Sequence, residues 1–295
     1  MEFRRLRYFS VLARRLHFAR AAEELHLSQP ALSQQIKVLE RELGVRLFHR
    51  DRRGVSLTPA GLALVEEAET LLGRYDAVRD RVREAAGDNG GVLRLAHTRS
   101  GVDNLVQDLV ARFRALHPDT TLSVVSGWTE WNVRQVQASA VDLAFVRLPV
   151  AEPGLVRMHL ADEELVAVLP AGHPLSRTRR LRPAHLRDEP VVFWPPTQGP
   201  GYHDAVIRRI WPDGRPKIVR EDPDAEHVLA AVAAGTGLTI LGRERAARLH
   251  PKGTTLRRFT HPRPTVGLWA TWSRTNRSPL LEAFVELCES PHVTP

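Results

Sequence analysis

The sequence contains one cysteine, Cys288, and no long apolar stretch. A single cysteine excludes a disulfide within the chain and any metal site built from several thiolates. No run approaches the roughly 20 apolar residues that cross a bilayer, and the N-terminus lacks the apolar core of a signal peptide. We therefore expect a cytoplasmic protein with no metal and no membrane contact, in which Cys288 is a small buried residue of the last helix.

The common fingerprints of enzymes and cofactor-binding proteins are also missing. The chain has neither a P-loop nor the glycine pattern of a dinucleotide-binding fold. Ser100, His97 and Asp103 lie close together in sequence, but no nucleophile elbow precedes Ser100. The sequence therefore predicts a protein that is not an enzyme and that holds no cofactor.

Positive charge is concentrated at the start of the chain. Residues 1–58 contain 12 Lys and Arg against 6 Asp and Glu, whereas the rest of the chain contains 30 against 28. A basic excess confined to one segment is typical of a surface that docks on a phosphate backbone. The charge distribution favours a nucleic-acid-binding head attached to a nearly neutral body.

The stretch from Phe18 to Gly61 predicts two helices joined by a tight turn. Small and apolar residues recur at helical spacing up to Leu25, and Ser28 and Pro30 then supply a cap and a first-turn proline for a second helix. The apolar stripe of this second helix is Leu32, Ile36, Leu39 and Leu43. Polar residues off the stripe point outward, as in a helix-turn-helix that reads a DNA major groove.

A short hairpin around Gly54 follows and resembles a basic wing, because Arg50, Arg52 and Arg53 lie beside Gly54. The alternative is an ordinary helical hairpin with solvated charges, but helix pattern and wing together favour DNA binding. The predicted DNA-contacting residues are Gln29, Pro30, Ser33, Gln34, Lys37, Arg50, Arg52 and Arg53.

This segment is similar to the winged helix-turn-helix of LysR-type transcriptional regulators. The matching motifs are A-A-x-x-L from Ala21, S-Q-P-A-x-S from Ser28, I-x-x-L-E from Ile36, L-G-x-x-L-F-x-R from Leu43 and L-T-x-A-G from Leu57. Ala19 departs from the family, which often has Thr or Ser at that position to start the helix. The resemblance implies a transcriptional activator or repressor that binds an inverted-repeat operator in double-stranded DNA, with RNA polymerase as a further candidate partner.

Thr58 and Pro59 open a long helical run that contains no further proline. Apolar residues in it alternate spacings of four and three, which predicts a coiled-coil seam between two chains. The alternative is a helix that lies on its own domain. In the resembled family this helix pairs two DNA-binding heads and the protein is a tetramer made of two dimers. The predicted dimerisation residues are Leu64, Leu71, Tyr75, Val78 and Val82.

Beyond the glycine-rich joint at residues 87–91, strands alternate with helices, a pattern typical of a parallel sheet covered by helices. This part resembles the family's effector domain, two α/β subdomains joined by crossover strands as in periplasmic solute-binding proteins. The matches are the LPAGHPL turn at Leu169, Asp188-Glu189-Pro190 and VAAGTGLTIL at Val232, whereas Gly242 replaces a proline common in the family.

The predicted fold is therefore α/β with a winged helix-turn-helix head. We expect a DNA-binding domain at 1–58, a linker and dimerisation helix at 59–87, and an effector-binding domain at 91–295. Within the last, subdomain I covers about 91–162 plus 267–295 and subdomain II about 163–266.

Ligands of an open α/β sheet bind beyond the carboxyl ends of its strands, and segments 97–101, 127–130 and 194–202 should meet there. The first two open helices, whose N-termini attract anions, and the third supplies a rigid apolar wall. In the benzoate- and muconate-responsive regulators that the chain resembles, positions matching Ser100 and Thr129 hold the effector carboxylate. The implied effector-binding residues are Arg99, Ser100, Thr129, Arg147, Pro200 and Tyr202.

These features favour an aromatic or unsaturated carboxylate as the effector, although both hydroxyl residues could instead serve only as helix caps. A second hypothesis is a stand-alone solute-binding module whose helical head docks a protein rather than DNA. The concentration of positive charge in the head argues against it.

Replacing Gln29 by alanine should relax sequence preference, because a good base contact contributes about 1–3 kcal/mol of discrimination. Arg53→Ala should instead weaken binding to all DNA about equally and flatten its salt dependence, because it removes a phosphate contact. Footprinting over a range of salt concentrations measures both effects. Unchanged specificity in the Gln29 variant would contradict the groove assignment.

Overall fold

The computed structural model describes residues 2–51, 54–85, 91–98, 104–147, 152–249 and 252–290. Internal contacts divide the chain into two units, residues 1–89 with 137–141 and residues 90–136 with 142–295. The elements of the first unit are α1 (Phe3–Arg15), α2 (Phe18–Glu24), α3 (Gln29–Leu43), β1 (Phe48–Asp51), β2 (Gly54–Leu57) and α4 (Pro59–Ala85). Strands β1 and β2 pair antiparallel as the predicted wing.

Side-chain caps fix where α2 and α3 begin. The hydroxyl of Ser28 accepts a hydrogen bond from the backbone N–H of Ala31 at 3.3 Å, which confirms the predicted start of α3. At α2 the ring Nδ1 of His17 accepts from the N–H of Arg20 at 3.4 Å. The helix is therefore capped although Ala19 lacks the hydroxyl common in the family.

The beginning of α4 is locked to the segment that precedes the wing. The hydroxyl of Thr58 accepts from the N–H of Gly61 at 3.0 Å and donates to the carbonyl of Arg46 at 2.7 Å. A Cβ at Gly61 would overlap the carbonyl oxygen of Leu47, so only glycine fits at this contact. This close approach explains the L-T-x-A-G pattern.

The core of the head is built from α1, α2, α3 and β1. Its fully buried side chains include Leu6, Phe9, Leu12, Leu32, Ile36 and Leu39. The predicted stripe of α3 is one residue too long, because Leu43 is 39% exposed. The next residue, Gly44, adopts a left-handed conformation (φ 70°) that ends the helix. Leu43 is therefore the last helical residue, and no following turn of α3 covers its side chain.

Helix α4 is only partly available to a partner. Leu64 and Ala68 pack against the head core, so this part of the helix lies on its own domain. Tyr75 stacks on Phe3 with ring centroids 4.7 Å apart. Further along the predicted seam, Leu71, Tyr75, Val78 and Val82 are 41%, 44%, 46% and 66% exposed.

The second unit alternates strands and helices. Its elements are β3 (Val92–Thr98), α5 (Asn104–Leu116), β4 (Thr121–Gly127), α6 (Thr129–Gln137), β5 (Leu143–Arg147), β6 (Leu155–Pro170), β7 (Pro190–Phe193), α7 (Pro200–Ile210), β8 (Lys217–Glu221), α8 (Ala225–Ala233), β9 (Thr239–Gly242), α9 (Arg243–Leu249), β10 (Thr254–Arg258), β11 (Thr265–Ser273) and α10 (Pro279–Glu289).

The long strand β6 is shared by two halves of this unit. Its first part, residues 155–164, pairs with β11, which continues to β5, β3 and β4, while its last part, residues 165–170, pairs with β9 and β10. Strands β7 and β8 form a parallel pair that is bridged to the start of β9 by Val191 and Leu238. We call the half built on β3, β4, β5 and β11 the first subdomain and the half built on β7 to β10 the second.

Each subdomain has its own apolar core. The first packs α5 and α10 on its sheet around Phe113, Phe145 and Phe284. Cys288 lies in this core, as expected, and burial raises the pKa of its thiol to about 12. The second packs α7 around Phe193, Val206 and Ile210 on one side of its strands, and α8 on the other.

Replacing Leu71 by glutamate should disrupt pairing of two heads, because it puts a charge in the predicted seam. Operator affinity should collapse, whereas the unfolding of each monomer should change little because Leu71 is already 41% exposed. Footprinting and the sedimentation of the full chain measure the two effects. A variant that still protects a two-half-site operator would remove the coiled-coil interpretation.

Candidate functional sites

The outer face of α3 carries most of the predicted DNA-reading residues. Gln29, Pro30, Gln34 and Lys37 are exposed, and Ser33 is half-buried between them and the wing. Arg52 and Arg53 lie outside the described residues. The exposed set occupies the N-terminal half of the helix, which is the part that reaches base edges in helix-turn-helix complexes.

Arg50 connects the wing to α3. Its guanidinium donates a hydrogen bond to the hydroxyl of Ser33 at 3.0 Å and lies 4.3 Å from the ring centroid of Phe18. Both Arg50 and Ser33, which the sequence assigned to DNA contact, therefore also hold the head together. A second link is the carboxylate of Glu40, which accepts from the N–H groups of Leu47 and Phe48 at 2.9 and 3.3 Å.

In the second unit, the loop after β4 places Thr129 at the first turn of α6. Its side chain is buried rather than open to a ligand. The hydroxyl accepts a hydrogen bond from the backbone N–H of Arg147 at 3.2 Å and is 3.5 Å from the carbonyl oxygen of the same residue. Thr129 thus ties α6 to the carboxyl end of β5. Arg99 and Ser100 lie outside the described residues.

Arg147 ends β5 and forms a buried ion pair. Its Nη2 lies 2.8 Å from the Oε2 of Glu163, and the two side chains are 2% and 10% exposed. The resemblance placed Arg147 among the effector-binding residues, and in the structure its charge lies inside the protein, paired with a carboxylate. Glu163 comes from β6, the strand that both subdomains share.

A cavity lies beside this ion pair, at the carboxyl ends of β4, β7 and β9. Its empty space is about 560 Å³ when the solvent at its mouth is included. The first subdomain contributes Trp128, and the shared strand contributes Glu163. The residues from the second subdomain are Trp194, Tyr202, Pro223, Ala225, Val228, Leu241, Gly242 and Arg245.

The aromatic wall of the cavity is a stack of rings. Trp194 stacks on Phe193 at a centroid separation of 3.9 Å and on Tyr202 at 5.6 Å, with 19° between the last two ring planes. Tyr202 was among the expected site residues and does line the cavity. Pro200 does not, because it is the exposed first residue of α7.

The N-terminus of α7 is occupied by a protein carboxylate. Oε1 of Glu130, from the first turn of α6, accepts a hydrogen bond from the N–H of Gly201 at 3.2 Å. This contact joins the two subdomains beside the cavity. The partial positive charge at this end of α7 is therefore already matched by a protein carboxylate.

Sequence reasoning missed Glu163, Gly242 and Arg245. Gly242 and Arg245 follow the strand of the VAAGTGLTIL motif, so the rule that ligands bind beyond carboxyl strand ends could have pointed to them. Glu163 had no such signal, since a carboxylate inside a strand is unusual and its partner is 16 positions earlier in the chain. A Cβ at Gly242 would overlap the Glu163 carboxylate, so the glycine leaves room for the ion pair.

Within the described ranges, no three His, Cys, Asp or Glu side chains converge as metal ligands would. None of the helices in the described part of the chain is long and apolar enough to cross a membrane.

Both units match known sequence families. Residues 3–62 match the family described as "Bacterial regulatory helix-turn-helix protein, lysR family", and residues 86–290 match the "LysR substrate binding domain". The chain is thus a DNA-binding regulator with a substrate-binding domain. It belongs to the LysR family of transcriptional regulators.

Individual relatives match over nearly the whole length. The HTH-type transcriptional regulator TfdS of Cupriavidus pinatubonensis is 34% identical over 97% of both chains. The Hca operon transcriptional activator HcaR of Escherichia coli is 30% identical, covering 98% of this chain and 97% of the relative. Full-length CbnR, a LysR family regulator solved with its target DNA, superposes with a TM-score of 0.72 at 27% identity over 98% of each chain. These matches favour DNA, rather than protein, as the ligand of the head.

Removal of the Glu163 side chain should destabilise the second unit by about 3–5 kcal/mol, because it leaves the Arg147 charge buried without its carboxylate. Chemical denaturation of Glu163→Ala measures the change. The matched control is the pair Arg147→Met with Glu163→Leu, which removes both charges and should recover most of the loss. Equal stability of Glu163→Ala and the wild type would contradict a buried ion pair.

Proposed function

We propose that this protein regulates transcription in response to a small aromatic or unsaturated carboxylate bound in the cavity between its two subdomains. The observation that carries the proposal is that both subdomains contribute residues to the wall of the cavity. Trp128 comes from one subdomain, whereas Trp194 and Tyr202 come from the other. A ligand in contact with both walls favours the arrangement that brings them together.

The chemistry of the lining supports the effector class. Aromatic and aliphatic side chains form most of the wall, which suits a flat or apolar body. The charged groups are Glu163, already paired with Arg147, and Arg245. Because Arg147 already balances the charge of Glu163, the guanidinium of Arg245 favours an anionic ligand over an amine. Thr129 supports the site from behind by holding the end of β5.

The regulator acts on an inverted repeat as a homodimer, assembled into a tetramer as a dimer of dimers. The exposed apolar residues of α4 beyond Leu71 support pairing of two heads. The exposed face of α3 reads the major groove, and the arginines at the wing contact phosphates. Such a protein works in the cytoplasm, catalyses no reaction and needs no cofactor, which agrees with relatives named as transcriptional regulators.

Benzoate or cis,cis-muconate should raise the melting temperature of the full chain, because a ligand that binds only the folded state stabilises it by mass action. At a ligand concentration of 100 times Kd the gain is about 2.7 kcal/mol. Thr129→Val together with Ser100→Ala should reduce the shift, because loss of the Thr129 hydroxyl releases the end of β5 beside the cavity, and should leave DNA affinity without ligand unchanged. Differential scanning fluorimetry measures the shift, with amines and sugars as matched controls. If those controls raise the melting temperature and the acids do not, the proposed effector class is wrong.

A further inference from the structure

Arg245 differs from the other arginines near the cavity in having no partner. It lies in α9, three residues beyond the end of β9, and its half-buried side chain lines the cavity. Across the ranges that the structure describes, it makes no hydrogen bond or ion pair. By contrast, Arg147 is paired with Glu163, and Arg258 donates to Glu164 at 2.8 Å.

The carboxylate on the cavity wall, Glu163, acts on Arg245 electrostatically but is held by another arginine. Glu163 lines the same cavity, but it lies 2.8 Å from Arg147, which is almost fully buried and depends on it. The charges of this group therefore balance only in part, with two guanidinium groups and one carboxylate. Burial lowers the pKa of Arg245 from its usual range, and the hydroxyl of Tyr202 and the charge of Glu163 partly oppose this effect. Among the described residues, the cavity thus contains a partly desolvated guanidinium whose carboxylate neighbour, Glu163, is already paired with Arg147.

Arg245 lines the same cavity as aromatic and aliphatic side chains that suit the ring of an aromatic acid. On the same cavity surface, Trp194 and Tyr202 offer stacked ring faces, while Val228 and Leu241 complete an apolar wall. A guanidinium binds a carboxylate in a bidentate, planar manner, which an ammonium cannot reproduce. A rigid acid could therefore place its carboxylate on Arg245 and its body on the apolar wall at the same time.

We infer that Arg245 is the specificity-determining residue of the effector site and binds the effector carboxylate, with the effector body against Trp194 and Tyr202. This inference rests on the proposed function and assigns the anion-binding role to a residue of the second subdomain. Thr129 then has a positioning role, because its hydroxyl is engaged by the backbone of Arg147.

The test compares an acid with its neutral analogue on the full chain. Tryptophan fluorescence, to which Trp128 and Trp194 contribute, follows titration with benzoate, cis,cis-muconate and benzamide. The wild type should prefer the acids to the amide. Arg245→Gln should weaken binding of the acids by about 10- to 100-fold, the range for loss of a charged hydrogen bond, and leave benzamide nearly unchanged. Arg245→Lys should retain part of the preference for the acids.

Arg248→Gln is the matched control, because it changes an exposed arginine of the same helix and should leave all three titrations unchanged. Without ligand, Arg245→Gln should melt at or above the wild-type temperature, since it removes a partly buried charge that has no partner. Acid binding that is equal in Arg245→Gln and the wild type would overturn the inference and leave the proposed function standing. A wild type that binds neither acid, or prefers benzamide, would overturn both. A large drop in the melting temperature of Arg245→Gln would contradict the inference by revealing a structural partner.

Discussion

The second unit depends on the ion pair between Arg147 and Glu163. Both side chains are almost completely buried, and two charges can remain in such an environment only as a pair. The pair joins the end of β5 to β6, the strand shared by both subdomains. Thr129 fixes the backbone of Arg147 from α6, and Gly242 at the end of β9 leaves space for the carboxylate. Elements from both subdomains therefore meet at a single charge pair.

This arrangement also affects the charge of the cavity wall. Because Glu163 is paired with Arg147, the carboxylate on the wall repels an anionic ligand less than a free carboxylate would. Glu130 similarly occupies the N-terminus of α7 and links the two walls beside the cavity. Interactions within the protein thus already neutralise two of the groups that could otherwise bind or repel an effector.

The sequence predicted the head more completely than the cavity. The head contains helix caps, such as Ser28 and Thr58, and a close backbone approach at Gly61. These contacts join residues that are near one another in sequence or belong to one motif, so the motif predicts the local structure. The end of α3 was predicted less well, because the exposure of Leu43 depends on the turn at Gly44. The packing of α4 on its own head was also hidden, since a heptad pattern does not reveal that Leu64 packs against the head core.

The cavity depends on contacts between residues far apart in the chain. The 16-residue length of β6 could not be read from a stretch that contains Glu163 and Glu164, because strands rarely hold adjacent carboxylates. These residues are tolerated only because Arg147 and Arg258 pair with them. Arg245 is one of three arginines between residues 243 and 248, and only the assembled fold places it on the cavity wall. Of the two loop residues that the resemblance implied, Tyr202 lines the cavity, whereas Pro200 lies outside the lining.

The central claim is that one ligand contacts both subdomains and favours their closed arrangement. Hydrogen exchange of the full chain, with and without a saturating acid that raises the melting temperature, tests it most directly. The account predicts slower exchange in both walls together, in residues 129–137 of the first subdomain and in residues 200–210 and 243–249 of the second. Protection of one wall alone, or protection confined to regions away from the cavity such as residues 104–116, would contradict it.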